Sequence, residues 1–209
     1  MRRWRITVGA MTRQRALERD ARLAELCPIV REALAEVGHF QTRNRGTLGG
    51  SLALADPAAE YPACMVALDA TIFVEGREGQ RQVRAAAFFK GLFETDLRAG
   101  ELVVAVEIPA QLKEDRSAFL ELTRRHGDYA IIGLAAFKGA DGTRLVYLNA
   151  GPTPVFAKTA SARKTLEEAK KALAADLDPP ADLYNSRATK LHLAGVLLER
   201  AWTTLSTSH

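Results

Sequence analysis

Apolar side chains along the chain fall now two apart, now three and four apart, and each change of spacing marks a new element. Residues 4–8 alternate and are rich in aromatic and β-branched types, which predicts a strand ending at Gly9. Residues 12–26 are polar-rich and helical in character. Pro28 then opens a cleaner helical stripe of Ile29, Ala33, Leu34 and Val37, stopped by Gly38. His39-Phe40-Gln41 leads into a glycine-rich stretch. A further helix is predicted from Pro57, with Ala58, Tyr61, Met65 and Leu68 on its core face and Pro62 kinking or separating its first turn.

Residues 70–74 and 81–84 predict a hairpin turning over 75–79. Phe88, Phe89 and Phe93 read as core anchors around a short helix. Residues 101–108 form a buried strand closed by Pro109. A polar linker at 111–116 follows, and beyond it strands are predicted at 117–124, 131–138 and 144–150, the last two joined by an Asp141-Gly142 turn. Two helices cover this meander. One spans 159–175 with Ala162, Leu166, Ala169 and Leu173 on a stripe, and the other spans 186–205 with Leu191, Ala194, Leu198, Ala201 and Leu205. Asp178-Pro179-Pro180 breaks the chain between them.

With 209 residues, 47% of them hydrophobic, the chain can bury a sizeable core as one large domain or two small ones. Its net charge of +4 raises the question of nucleic acid, but 29 basic residues are interleaved with 25 acidic ones. The dense basic runs are confined to Arg2, Arg3 and Arg5 and to Arg43 and Arg45, too few to line a groove, which argues against nucleic-acid binding. Cys27 and Cys64 stand far apart in apolar settings without a CxxC pair. They read as small core residues, so neither an iron–sulfur cluster nor a structural zinc is expected in this chain. The amino end has basic residues but no apolar h-region, and no apolar run is long enough to span a bilayer. A cytoplasmic location is the expectation. His39, His126, His192 and His209 show no paired-ligand spacing, and serine-elbow, P-loop and Rossmann signatures are missing. Chemistry here would be a cofactor's.

The candidate chemistry lies in Arg43-Asn44-Arg45-Gly46-Thr47-Leu48-Gly49-Gly50-Ser51. A backbone so free of side-chain bulk can turn its N–H groups toward one anion, with a hydroxyl on either side of the Gly49-Gly50 pair. Asp56-Pro57 reads as an N-cap followed by the first helical position, which adds a helix N-terminus to the same field. The same residues also suit a plain tight turn and a plain helix cap.

The run RNRGTLGGSLALADPAAEYPA at 43–63 resembles the second flavin-binding motif of the FAD subunits of molybdenum hydroxylases, the family of the carbon monoxide dehydrogenase medium subunit and the xanthine dehydrogenase flavin domain. ELVVAVEIP at 101–109, RRHGDYA at 124–130, NAGPTPV at 149–155 and LHLAGVLLERA at 191–201 agree with the family in order. The resemblance implies an α+β fold. Residues 1–110 would form the second half of a vanillyl-alcohol-oxidase/PCMH-type FAD-binding domain, and residues 111–209 a carbon monoxide dehydrogenase flavoprotein C-terminal-like domain with a three-stranded antiparallel sheet and helices. In the family an opening segment with the first glycine-rich loop precedes the first strand, so a partial flavin domain is expected.

The implied cofactor is FAD. Thr47, Leu48, Gly49, Gly50 and Ser51 would form the second phosphate cradle, Glu60 would lie near the ribityl chain, Tyr129 near the flavin ring, and Val103 would be an aliphatic contact. Without the family, Glu60 reads as helix-dipole compensation and Tyr129 and Val103 as packing residues. No catalytic residue and no metal ligand is assigned. The family often carries a lysine in the strand before Arg124, where this chain has Leu120-Glu121. The resemblance further implies a large molybdenum-cofactor subunit and a small iron–sulfur subunit as partners, with FAD passing their electrons to an acceptor. Two alternatives remain: a flavin-free structural or interaction subunit that keeps the fold, and a stand-alone flavin reductase resembling the enolpyruvoyl-glucosamine type.

Overall fold

A computed structural model describes residues 4–207. Arg2, Arg3 and His209, considered above for charge and metal binding, lie outside the described residues. The first strand, Arg5–Gly9 (β1), is followed by three short helices where two were predicted: Gln14–Arg19 (α1), Ala21–Leu26 (α2) and Pro28–Glu36 (α3). The break falls at Asp20, whose backbone is extended and whose carboxylate accepts from the Arg22 N–H at 2.9 Å. An aspartate that caps a new helix competes with continuing the old one. Pro28 starts α3 at a position where its missing N–H costs nothing, and Ile29, Val30, Ala33 and Leu34 bury its inner face.

Phe40–Arg45 (α4), Leu48–Leu54 (α5) and Glu60–Ala67 (α6) come next. Every residue of α6 from Tyr61 on is buried. Thr71–Gly76 (β2) and Gly79–Arg84 (β3) form the predicted hairpin, with Gly76 paired to Gly79. Ala85–Phe88 (α7), Phe89–Gly91 (β4) and Glu94–Thr95 (β5) lead to Leu102–Pro109 (β6). The sheet runs β1-β6-β2-β3, antiparallel throughout. Phe88 and Phe89 are buried and pack edge to face, but Phe93 departs from the expected core role. It stands exposed at the tip between β4 and β5 with a left-handed φ of 55°.

The second half supplies Arg116–Thr123 (β7), Ala130–Gly139 (β8), Gly142–Leu148 (β9) and Val155–Phe156 (β10), then Lys158–Ser161 (α8), Leu166–Asp176 (α9) and Arg187–Ser206 (α10). Its sheet has four strands in the order β10-β9-β8-β7, one more than predicted. A two-residue strand shows no alternation to read. The helix predicted over 159–175 is interrupted. The Asp176 carboxylate accepts from the Thr159 and Ala160 N–H groups, while Thr165 caps α9 afresh through the Glu168 N–H.

Alternation on β8 decides how the halves join. Ile132, Leu134 and Ala136 face α9 and α10, whereas Ala135 and Phe137 share a core with Ile29, Tyr61, Met65 and Ile72 of the first half. α3 packs on β7 and α6 on β8 and β9, so this sheet is covered on both faces. The linker at 110–115 lies between the sheets, yet the apolar core runs across it.

Candidate functional site

Residues 10–14 run antiparallel to 46–49 and bind the glycine-rich segment to the end of β1. The Gln14 N–H donates to Gly46 O at 3.0 Å, the Leu48 N–H to Thr12 O at 3.1 Å and the Gly49 N–H to Ala10 O at 2.9 Å. Thr47 then caps α5, its hydroxyl accepting from the Gly50 N–H at 3.0 Å. The predicted open loop is therefore a helix start, with Gly49 and Gly50 in its first turn. Gly49 is needed for packing, because a Cβ there would lie 2.4 Å from the Ala10 methyl carbon. Gly50 faces outward, and a Cβ on it would meet the Thr47 hydroxyl at 2.8 Å. The Leu48 and Gly49 amides are held by the carbonyls of Thr12 and Ala10 and the Ser51 amide by Thr47 O, which leaves the Gly50 amide and the two hydroxyls as the exchangeable groups.

Asp56 does not cap α6 as the sequence pattern predicted. Its carboxylate accepts from the Ala58 N–H at 2.9 Å in a local turn, and α6 begins at Glu60 with Ala59 as its N-cap. Pro62 explains the shift. Starting the helix at Glu60 puts the proline in the first turn, where no intrahelical N–H is required.

These segments, with the loop between β7 and β8, enclose a cleft of about 590 Å³. Thr47, Gly50, Ser51, Glu60 and Tyr129 line it together. Leu48 and Gly49 are buried behind it, and Val103 on β6 pairs with Val74 on β2 and packs against the core; none of the three belongs to the cleft lining. Asn149, which no sequence pattern singled out beyond the NAGPTPV run, ties the two walls. Its N–H donates to Pro57 O at 2.7 Å, and its side-chain amide donates to Ala130 O at 2.7 Å and Ile131 O at 3.2 Å. Its φ of 53° lies in the left-handed region that asparagine tolerates better than most residues. Gly127, with a φ of 85°, lets the second wall close on His39, whose ring would be 2.3 Å from a Cβ.

Arg13 and Arg45 stand at the cleft, the Arg13 guanidinium donating to Arg45 O. Met11, Leu54 and Tyr129 expose apolar surface at the same opening. Burial raises the Glu60 carboxyl to about 7, and the charges of Asp56 and Glu36 push in the same direction. Glu121 on β7 couples to Glu60; burial, with the Glu60 and Glu36 charges, raises it to about 8. Cations and hydroxyls beside apolar surface suit a ligand with an anionic middle and a flat apolar end, and the bare Gly50 leaves room for it. FAD fits that description. Cys27 and Cys64 are free and buried; burial pushes the Cys27 thiol up to about 12 and raises that of Cys64, as for inert core residues. Among the described residues no group of three or more histidine, cysteine or acidic side chains is arranged to hold a metal, and no helix is long and apolar enough to cross a membrane.

Residues 1–111 match the FAD binding domain in molybdopterin dehydrogenase, and residues 117–205 match the CO dehydrogenase flavoprotein C-terminal domain. The chain belongs to the FAD-binding subunits of the molybdenum hydroxylases. Its family cofactor is FAD. It is 33% identical to the 6-hydroxypseudooxynicotine dehydrogenase complex subunit alpha of Paenarthrobacter nicotinovorans, over 93% of this chain and 71% of that protein. With the carbon monoxide dehydrogenase medium chain of Afipia carboxidovorans it shares 32% identity over 94% of this chain and 73% of the other. Among solved structures, carbon monoxide dehydrogenase from Hydrogenophaga pseudoflava superimposes with a TM-score of 0.90 at 30% identity, covering 96% of this chain and 75% of that one. Quinoline 2-oxidoreductase from Pseudomonas putida 86 gives 0.87 at 34% identity, covering 96% and 74%. As a molybdenum-hydroxylase medium subunit, the chain is an oxidoreductase component whose homologues work within multi-subunit complexes.

Proposed function

We propose that the cleft bounded by α5, α6 and the β7–β8 loop is where this subunit holds FAD, and that the chain hands on electrons received from a large molybdenum-cofactor subunit through a small iron–sulfur subunit. Bound FAD supplies the redox chemistry, accepting and releasing electrons singly or in pairs. The protein's part is binding and orientation. The Thr47 and Ser51 hydroxyls and the Gly50 amide donate to pyrophosphate oxygens, and Arg13 and Arg45 make the approach favourable for a dianion. Glu60, poised near neutrality, can accept from or donate to a ribityl hydroxyl. Tyr129 offers a flat wall to the ring. Leu48 and Gly49 shape the turn from behind, and Val103 supports it through the core.

The observation that carries this reading is the convergence of Thr47, Gly50, Ser51, Glu60 and Tyr129, drawn from separate stretches of sequence, on one cleft. The relatives that are medium chains or subunits of dehydrogenase complexes support a subunit over a stand-alone reductase. Two free, buried thiols are in keeping with a reducing cytoplasm. The test is the visible absorption of the purified chain after incubation with FAD, beside Gly50→Asp. One flavin per polypeptide is expected, with none in the variant, which adds a carboxylate and a Cβ 2.8 Å from the Thr47 hydroxyl. A folded, unaltered chain that takes up no FAD would instead favour the flavin-free scaffold. Retention of both partner subunits by a tagged chain tests the assembly.

A further inference from the structure

Gln14 opens α1 and is only 5% exposed, yet its side-chain carbonyl has no hydrogen-bond partner. Its side-chain amide nitrogen makes no hydrogen bond within the described residues either, and the residue lines the cleft. Such a group is costly to bury unpaired, and leucine or methionine would fill the same space without that cost.

Gly46 supplies a second, independent observation. Its φ of −63° and ψ of 149° are open to any residue, so the backbone does not call for glycine. The Gln14 carboxamide occupies the space beside it, and its oxygen, carbon and nitrogen would lie 2.8, 2.9 and 3.1 Å from a Cβ on Gly46. The chain thus makes room for a polar side chain that it leaves unsatisfied.

We infer that Gln14 is a cofactor-binding residue, its NH₂ group donating to a pyrophosphate oxygen of FAD beside the hydroxyls of Thr47 and Ser51. The carboxamide lies directly against the Gly46 backbone, with its oxygen buried, on a residue that lines the cleft. This rests on the cleft being the FAD site.

The experiment titrates the flavin-free full chain with FAD, following flavin fluorescence, for the unaltered protein, Gln14→Met, Gln14→Glu and Gly50→Asp. Competition by ADP, which carries the pyrophosphate without the flavin, is measured alongside. Gln14→Met is expected to weaken FAD and ADP alike by about tenfold or more, the worth of one hydrogen bond to a charged group. The melting temperature of the ligand-free variant should stay level or rise, because an unpaired polar group is gone. Gln14→Glu is expected to weaken both further through charge repulsion. If Gln14→Met binds FAD within twofold of the unaltered chain while Gly50→Asp loses it, the role of Gln14 is overturned and the cleft stands. Undiminished binding by Gly50→Asp, or none by the unaltered chain, overturns the cleft itself. Should Gln14→Met not fold, Gln14→Glu decides by the same comparison of FAD and ADP.

Discussion

Replacing Glu121 by glutamine is expected to remove an alkaline weakness built into the joint between the two halves. Glu121 lies on β7 opposite Gly133, two residues from Phe119 and on the same face, so its side chain points toward α3 and α6. Both carboxylate oxygens are buried without a partner. The acidic groups around it are Glu60 on α6 and Glu36 on α3, with Glu32 nearby accepting from the Phe119 N–H at 2.7 Å. Burial first, then the Glu60 and Glu36 charges, lifts the Glu121 carboxyl from 4.5 to about 8. A raised folded-state value means that the native protein holds its proton more tightly than the unfolded chain. The associated stability is complete below pH 4.5, declines as pH rises, and is gone above about 8. At 1.36 kcal/mol per unit the full shift corresponds to roughly 5 kcal/mol, which residual solvent access reduces to about 3. Urea unfolding of the flavin-free chain, followed by circular dichroism at pH 5 and pH 9, measures it. The Glu121→Gln variant should match the parent at pH 5 and exceed it by about 3 kcal/mol at pH 9. Glu60 titrates in both proteins, so most of its contribution cancels in the difference. Parallel loss of stability in parent and variant would refute the reasoning, since it would mean that the ionised carboxylate is solvated.

Three other outcomes are expected. Asn149→Ala removes the two side-chain hydrogen bonds to Ala130 and Ile131 and puts alanine at a φ of 53°, which should cost about 2–4 kcal/mol in thermal or urea unfolding and weaken FAD retention as the cleft walls separate. Gly49→Ala drives a methyl into Ala10 and should destabilise by about 1–3 kcal/mol, while Gly50→Ala, on the exposed side of the same turn, should cost less than half as much. Gly50→Asp should fold and lose flavin, as read from absorption per polypeptide.

Most elements were legible along the chain, because a strand or helix with one buried face writes its period into the residues. β6 and the β2–β3 hairpin stand where alternation and turn residues put them, and the apolar stripe of α10 is buried from Ala194 on, with Leu191 half-buried. Boundaries moved where a side chain made a local choice that periodicity does not record: Asp20 and Thr165 started new helices, and Pro62 delayed one. The glycine-rich motif located the cleft, since glycines and hydroxyls at that spacing carry their chemistry locally. It could not distribute the roles within it. Gly46, Gly49 and Gly50 are alike in sequence, yet one admits Gln14, one admits Ala10 and one faces the cleft, because those neighbours arrive from residues 10–14 folded across from them. Glu121 read as a missing lysine and Asn149 as part of a motif. The weight each carries arises only when α3, α6 and the second sheet close together, removing water from one and bringing Pro57 and Ala130 to the other. Desolvation and long-range hydrogen bonding depend on what surrounds a residue in space, and sequence order does not contain that.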